Sequence, residues 1–324
     1  MKRIVVIRLS ALGDVLLATP MLRELKRLSG ARVELVTSPL LVPLLEGLSF
    51  LDAVTPNVPG LKLGRPDLVI DLQHKARTIL LSLRSGAGRR LALRRRTFGQ
   101  LLRAAAGRDL PIAGPHQVER YFAPLRSLGF AALDPGPLAI GLRSEVRAAA
   151  EAELAALGLT AVSRSGPLLG LAPGAAHATK RWPAERFAEV AAAFPDHLPV
   201  LLGARSDGVQ LDAVGKLLRP GLDARELGLP ALALLIERCA LLVSNDSGPV
   251  HLAQAVGTKV VAAFGPTDPL RWAPRGPHAR TATLRLPCSP CTNHGGAICP
   301  IGTHACLRDL SSAQVVRLAR DLLS

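Results

Sequence analysis

A chain of 324 residues, 48% of them hydrophobic and 20% charged, is long enough for two domains and too rich in apolar runs to be disordered. Its formal charge of +15 favours an anionic partner, while an aromatic content of 3% disfavours a surface that stacks nucleic-acid bases. No charge-free run nears a bilayer span, Lys2, Arg3 and Arg8 break the apolar start before any cleavage site, and five cysteines fit thiols or a metal better than a disulfide framework, so a cytoplasmic setting is expected.

Residues 3–9, RIVVIRL, have the apolar core and β-branched content of a buried strand. Residues 10–14 follow as a loop and 15–28 as a helix, in which Pro20 is a kink or a second start. Further strands are expected at 32–37, 53–55, 68–71 and 90–93, and strands alternating with helical stretches indicate parallel βαβ units. The first turn, SALGD, is not G-x-G-x-x-G, and G-x-x-x-x-G-K-[ST] is absent, which disfavours nicotinamide dinucleotides and P-loop chemistry. Asp14 stands at the carboxyl edge of the first strand, where it can cap a helix, act as a general base, or do both.

Residues 72–108 carry ten basic side chains and no acidic one. A phosphorylated lipid or anionic membrane face suits them better than nucleic acid, because Phe98 is the only aromatic there, although plain arginine enrichment would give the same count. The run DPGP at 134–137 breaks the pattern, 144–157 is an alanine-rich helix, and 158–167 reads as the interdomain linker.

The second domain opens with a strand at 168–172, followed by the loop PGAAHATKRW. Lys180 and Arg181 stand there beside a helix start at Pro183, placed for a diphosphate or simply solvated. A strand at 200–202 leads to Asp207, which can accept from ribose hydroxyls or cap a helix. After a short helix at 229–237 comes LLVSNDSGPVHLAQAVG, a buried strand that ends in Asn245, Asp246, Ser247 and Gly248 and restarts as a helix. Pro249 suits the first helical turn and Gly257 the helix end. A helix start above the carboxyl edge of a parallel sheet is an anion site, and Asp246, Ser247, Gly248 and His251 are more polar groups than a cap requires.

A strand at 259–264 and the polar loop GPTDPLRWAP come next. Cys288, Cys291, Cys299 and Cys306, spaced C-x2-C-x7-C-x6-C, could surround a zinc ion or be buried or redox-labile thiols; Cys239 reads as a small apolar residue. Ser311 and Gln314 form a capping box for a last helix with Val315, Ala319 and Leu322 on one face.

The runs RLSALGDVLLATP, PGAAHATKRWPAERF, NDSGPVHLAQAVG and FGPTDPLRWAP, with the CSPC…CP…C segment, resemble glycosyltransferase family 9, the heptosyltransferases of the bacterial lipopolysaccharide inner core. The match runs in the family's order over nearly the whole chain. It implies an α/β chain of GT-B fold, two Rossmann-like domains facing a central cleft. Residues 1–160 would bind the acceptor, 161–310 the nucleotide sugar, and 311–324 would pack back on the first domain. The implied reaction is inverting transfer of a heptose or related sugar from an ADP-sugar donor of the ADP-heptose type. The acceptor would be an acidic glycolipid of the lipopolysaccharide core, met at the inner membrane face, with no cofactor required and no nucleic acid involved.

Matched by position, Asp14 becomes the base, Lys180 neutralises donor phosphate, Asp207 holds ribose and Leu229 lines the adenine pocket. Asp246 would hold sugar hydroxyls, and Ser247, Gly248 and His251 the diphosphate. Ala175 and Ala176 depart from members that carry hydroxyl residues near the phosphates. The competing readings are a non-catalytic, zinc-stabilised module that binds anionic surfaces, and a GT-B sugar-nucleotide enzyme with another acceptor.

Overall fold

A computed structural model describes residues 1–93, 114–159, 166–218 and 222–324. Arg94 to Arg108, with Phe98, and most of the expected linker lie outside the described residues. The chain divides into two units, the first reaching Val146 and the second spanning Arg147–Ser324.

In the first unit, β1 (Arg3–Ile7), β2 (Arg32–Thr37), β3 (Ala53–Pro56), β4 (Leu68–Asp71) and β5 (Arg89–Ala92) pair in parallel, in the order β3-β2-β1-β4-β5. Ile4, Val6, Leu35 and Val69 are wholly buried, as expected of parallel strands covered on both faces. Order reverses between β1 and β4, so the loops leaving their carboxyl ends diverge and open a place for a ligand. Residues 12–16, expected to begin in a loop, instead form a short helix, Leu12–Leu16, with Asp14 in its first turn. Pro20 does start a second helix, Thr19–Ser29, which Gly30 closes in the left-handed conformation at φ +60°.

The second unit repeats the plan. Its strands are β6 (Leu168–Ala172), β7 (Leu198–Leu201), β8 (Leu222–Asp223), β9 (Cys239–Asn245), β10 (Val260–Ala263) and β11 (Ala279–Ala282), ordered β11-β10-β9-β6-β7-β8 and all parallel. The reversal lies between β6 and β9. The expected α/β class with two Rossmann-like units is therefore present.

Two details differ from expectation. The division falls inside the helix Ser144–Ala156 rather than at 158–167. Charge pairing explains it: Arg143 bonds Glu46 of the first unit at 3.1 Å, whereas Glu153 accepts the Gly228 N–H at 2.7 Å and Glu151 pairs with Arg238, both of the second. The last helix, Ser312–Leu323, was expected on the first domain, but Val315, Val316, Ala319 and Leu322 join the second unit's core with Leu169, Leu171 and Val261. Ser311 caps it, accepting the Gln314 N–H at 3.3 Å, but the expected box does not close, since the Gln314 side-chain amide donates to the Thr283 carbonyl at 3.4 Å. Among the described residues no helix is long and apolar enough to cross a membrane.

Candidate functional site

In the second unit the loops after β6, β7 and β9 enclose a cavity of about 240 Å³ at the strand-order reversal. Gly174, Ala175 and Ala176 line it from β6, Gly203 and Asp207 from β7, and Ser247 and Gly248 from β9. The helix Gly248–Val256 starts at this wall; in its first turn Pro249 has no N–H and the Val250 N–H goes to the Ser247 carbonyl at 3.2 Å, which leaves the Gly248 N–H without a helical acceptor. Its positive dipole end therefore borders the cavity. Pro249 sits in the first turn, where a missing N–H leaves no helical bond unmade. Ser247 occupies the cap position without bonding a helix N–H, and its hydroxyl donates to the Asn245 carbonyl at 3.3 Å instead.

Asp207 forms another wall. Its carboxylate accepts the Ala204 N–H at 3.1 Å and lies directly over the chain at Gly174, where an added Cβ would stand 2.3 Å from Asp207 Cγ. Only glycine leaves the carboxylate room there. Next to this cavity in sequence, Asp246 receives two donors on one oxygen, Lys180 Nζ at 2.7 Å and the Thr267 hydroxyl at 2.6 Å. The Lys180 and Asp246 side chains are only 15% and 8% exposed, so neither charge is left to water. Asn245 braces the arrangement: it accepts the Trp182 N–H at 3.0 Å and donates to the Pro173 carbonyl at 2.7 Å, tying the end of β9 to the loop after β6.

Asp207, Ser247 and Gly248, expected from sequence, thus share one cavity, with the Lys180–Asp246 pair one residue before Ser247. His251 is buried in the first turns of the same helix with Nδ1 3.3 Å from Gln254 Oε1, and is not among the cavity's lining residues. Leu229 is half-buried at the start of the helix Leu229–Arg238 and does not line it either. Thr267 and Asn245 carry roles that sequence reading missed. For Asn245 the available signal was a polar side chain at the end of a buried strand.

In the first unit Asp14 holds two donors. Arg8, buried just past β1, places Nη2 2.6 Å from Asp14 Oδ2 and donates from Nη1 to the Leu72 carbonyl at 2.9 Å. The Tyr121 hydroxyl donates to Asp14 Oδ1 at 2.9 Å. Burial, reinforced by the Asp14 charge, pushes the Tyr121 phenol far above its usual range, so it remains a neutral donor at physiological pH. Asp14 is 21% exposed, and the helix it belongs to has no side-chain cap, so capping is not its role. Each of its oxygens can accept one more proton donor. Beneath, Gln73 accepts the N–H groups of Leu9 and Ser10 at 3.1 and 3.3 Å, fixing the loop that leads to Asp14. Tyr121 lies 107 positions from Asp14, a link that no local spacing reveals.

All four late cysteines line a separate cavity of about 330 Å³ and are free thiols. Burial and the neighbouring thiols push Cys306 up to about 11 and raise Cys291. Burial also acts to raise Cys299, but N–H groups of His304, Ile301, Gly302 and Thr303 outweigh it and hold that thiol below its usual range. Among the described residues no three His, Cys, Asp or Glu side chains converge closely enough to hold a metal ion, so of the two readings of their spacing the thiols as placed fit that of buried or redox-labile groups rather than that of zinc ligands.

The same segment instead props the Lys180 loop. Gly296 accepts the Thr179 N–H at 3.1 Å and donates to its hydroxyl at 2.8 Å, while His304 Nε2 lies 2.8 Å from the Thr179 carbonyl. Gly295, at φ +93°, lies where a Cβ would stand 2.9 Å from Lys180 Cγ.

Comparison with known proteins places the chain in a family. The family model of glycosyltransferase family 9 (heptosyltransferase) matches residues 60–299. Lipooligosaccharide heptosyltransferase 2 of Campylobacter jejuni is 32% identical over 165 residues, 48% of this chain and 51% of that protein, so the chain spans about half the length of this curated relative. A glycosyl transferase family 9 structure from Veillonella parvula superposes with a TM-score of 0.80 at 26% identity, covering 99% of this chain and 97% of that one. The ADP-heptose LPS heptosyltransferase II of E. coli shares the fold at a TM-score of 0.75 and 24% identity, covering 100% and 98% of the two chains.

Proposed function

The chain belongs to glycosyltransferase family 9, and on that premise we propose that it transfers a heptose, with inversion, from an ADP-sugar to an acidic glycolipid acceptor of the lipopolysaccharide-core type. The observation that carries the reading is the cavity at the β6/β9 reversal, where a helix N-terminus and Asp207 meet, with Asp246, the partner of Lys180, one residue before Ser247 of its wall. A nucleoside diphosphate needs those groups: an acid for ribose hydroxyls, and a cation and backbone N–H groups for phosphate.

Asp14 is the proposed base. Removing the proton from the acceptor hydroxyl as its oxygen attacks the anomeric carbon takes one carboxylate, and Arg8 and Tyr121 hold this one in a fixed orientation while each oxygen keeps a free lone-pair site. Negative charge grows on the departing diphosphate. Lys180, the Gly248 N–H and the helix dipole would meet it, with Asp246 passing its share of Lys180 to the phosphate while Thr267 keeps the carboxylate bonded. His251 and Leu229 are proposed as donor contacts only by family position. The proposed setting is the cytoplasmic face of the inner membrane, with peripheral contact.

The countercharge here comes from the chain itself, so the proposed transfer asks nothing of a metal. A structural zinc at Cys288, Cys291, Cys299 and Cys306 would require those thiols to close in further than they stand, and elemental analysis of the purified protein tests for it.

A panel of nucleotide sugars followed by thermal unfolding and product analysis tests the function. ADP-sugars should raise the melting temperature more than UDP- or GDP-sugars, since a ligand selective for the folded state stabilises it. ADP release should require acceptor. Release of free sugar or an isomerised donor without acceptor would favour a sugar-nucleotide enzyme of another kind, and absence of any nucleotide response would overturn the proposal.

A further inference from the structure

The helix Ala76–Arg84 of the first unit packs Leu81 on the core of Val5, Ile7 and Val69 but turns the rest of its apolar residues outward. It buries Thr78 and Ser82, followed by Ser85, and turns Ile79, Leu80 and Leu83 outward, 36%, 46% and 59% exposed. These three are neighbours on one helical face. The inward polar groups are satisfied locally: the Thr78 hydroxyl accepts the Lys75 N–H at 3.0 Å, and the Ser85 hydroxyl donates to the Ser82 carbonyl at 2.6 Å. The arrangement leaves Ile79, Leu80 and Leu83 as an outward apolar face.

Charge says what the face meets. Beside the helix lies a cavity of about 640 Å³, bounded by the helix and by the loop after β3. Lys62 and Arg65 line it from the loop, Arg77 and Arg84 from the helix, and Val58 and Leu80 supply apolar surface. No aspartate or glutamate is among its lining residues. Outward leucines flanked by cations alone are the pattern of a helix that lies in the headgroup layer of an anionic bilayer.

We propose that this face docks the protein on an anionic phospholipid surface, with Ile79, Leu80 and Leu83 entering the acyl boundary and Lys62, Arg65, Arg77 and Arg84 meeting lipid phosphates. The inference deepens the transferase reading, because a glycolipid acceptor is presented at such a surface. Its test reads lipid binding rather than transfer, so either can fail alone.

The experiment is co-sedimentation of the full chain with vesicles of phosphatidylcholine alone and with about one-third phosphatidylglycerol. Binding should appear with the mixed vesicles only and weaken as salt rises. The double substitution Leu80→Ser/Leu83→Ser should lower partitioning by about ten-fold or more, and Lys62→Gln and Arg84→Gln by about five-fold each. ADP affinity and melting temperature of these variants should match those of the parent, which separates lost docking from lost folding. Failure of the parent to bind the mixed vesicles would overturn the proposal, as would a serine double variant that binds as the parent does. It would equally be overturned if that variant bound normally but melted early, meaning that the face is buried within the chain, or bound normally but lost a dimer, meaning that a second copy covers it.

Discussion

At the scale of single residues, the second-unit site depends on close fits that make sharp predictions. Gly174→Ala should drive the Asp207 carboxylate from its place without removing its charge, since the new Cβ would stand 2.3 Å from Asp207 Cγ. ADP affinity, read by calorimetry, should fall about ten- to hundred-fold, as it should for Asp207→Asn. The Lys180–Asp246 pair separates stability from binding. Lys180→Met alone leaves a nearly buried Asp246 charge and should cost about 3–5 kcal/mol in a denaturant titration, whereas Lys180→Met/Asp246→Leu should recover most of that stability and none of the donor affinity. Asp14, Asp207, Asp246 and Ser247 were legible because each follows a strand that reads clearly. Arg8, Tyr121, Asn245 and Thr267 were not, because their importance lies in partners 6 to 107 positions away that only the fold brings near.

At the scale of elements, apolar β-branched runs such as LVID at Leu68–Asp71 were found from sequence with their bounds correct. β11, ARTA at Ala279–Ala282, was missed: an edge strand of mixed polarity has no continuous apolar run to detect. Asp14 was assigned to a loop because its helix, Leu12–Leu16, is too short to show a period. The start of the first sheet has its own test. Glu34 accepts from Arg3 at 2.9 and 2.7 Å and from Arg32 at 2.7 Å, and the Arg3 bonds, outweighing burial, hold its carboxyl below the usual range. That stabilisation is complete above the ordinary glutamate value of about 4.3 and is lost as pH falls through the lower folded value. Glu34→Gln should therefore lower stability by about 1 kcal/mol at neutral pH and flatten the acid limb of a melting-temperature profile, and an unchanged limb would contradict the assignment.

At the scale of the whole molecule, two doubly wound units were legible because strand and helix patterns alternate through the chain. The place where one unit gives way to the other was not. A Gly- and Pro-flanked segment reads as a linker, whereas the actual change falls inside a continuous helix whose Glu151 and Glu153 are bound by the second unit. The last helix was misplaced for a related reason: one apolar face shows that a helix packs, not on what.

The proposed division of labour, with the donor held by the second unit and the acceptor hydroxyl deprotonated by the first, predicts that the two functions can be lost separately. The direct measurement is ADP-heptose affinity and single-turnover transfer for Asp14→Asn. Affinity should stay within about two-fold of the parent, while transfer falls by about a hundred-fold or more. Transfer at the parent rate, or donor affinity lost together with transfer, would contradict the role given to Asp14.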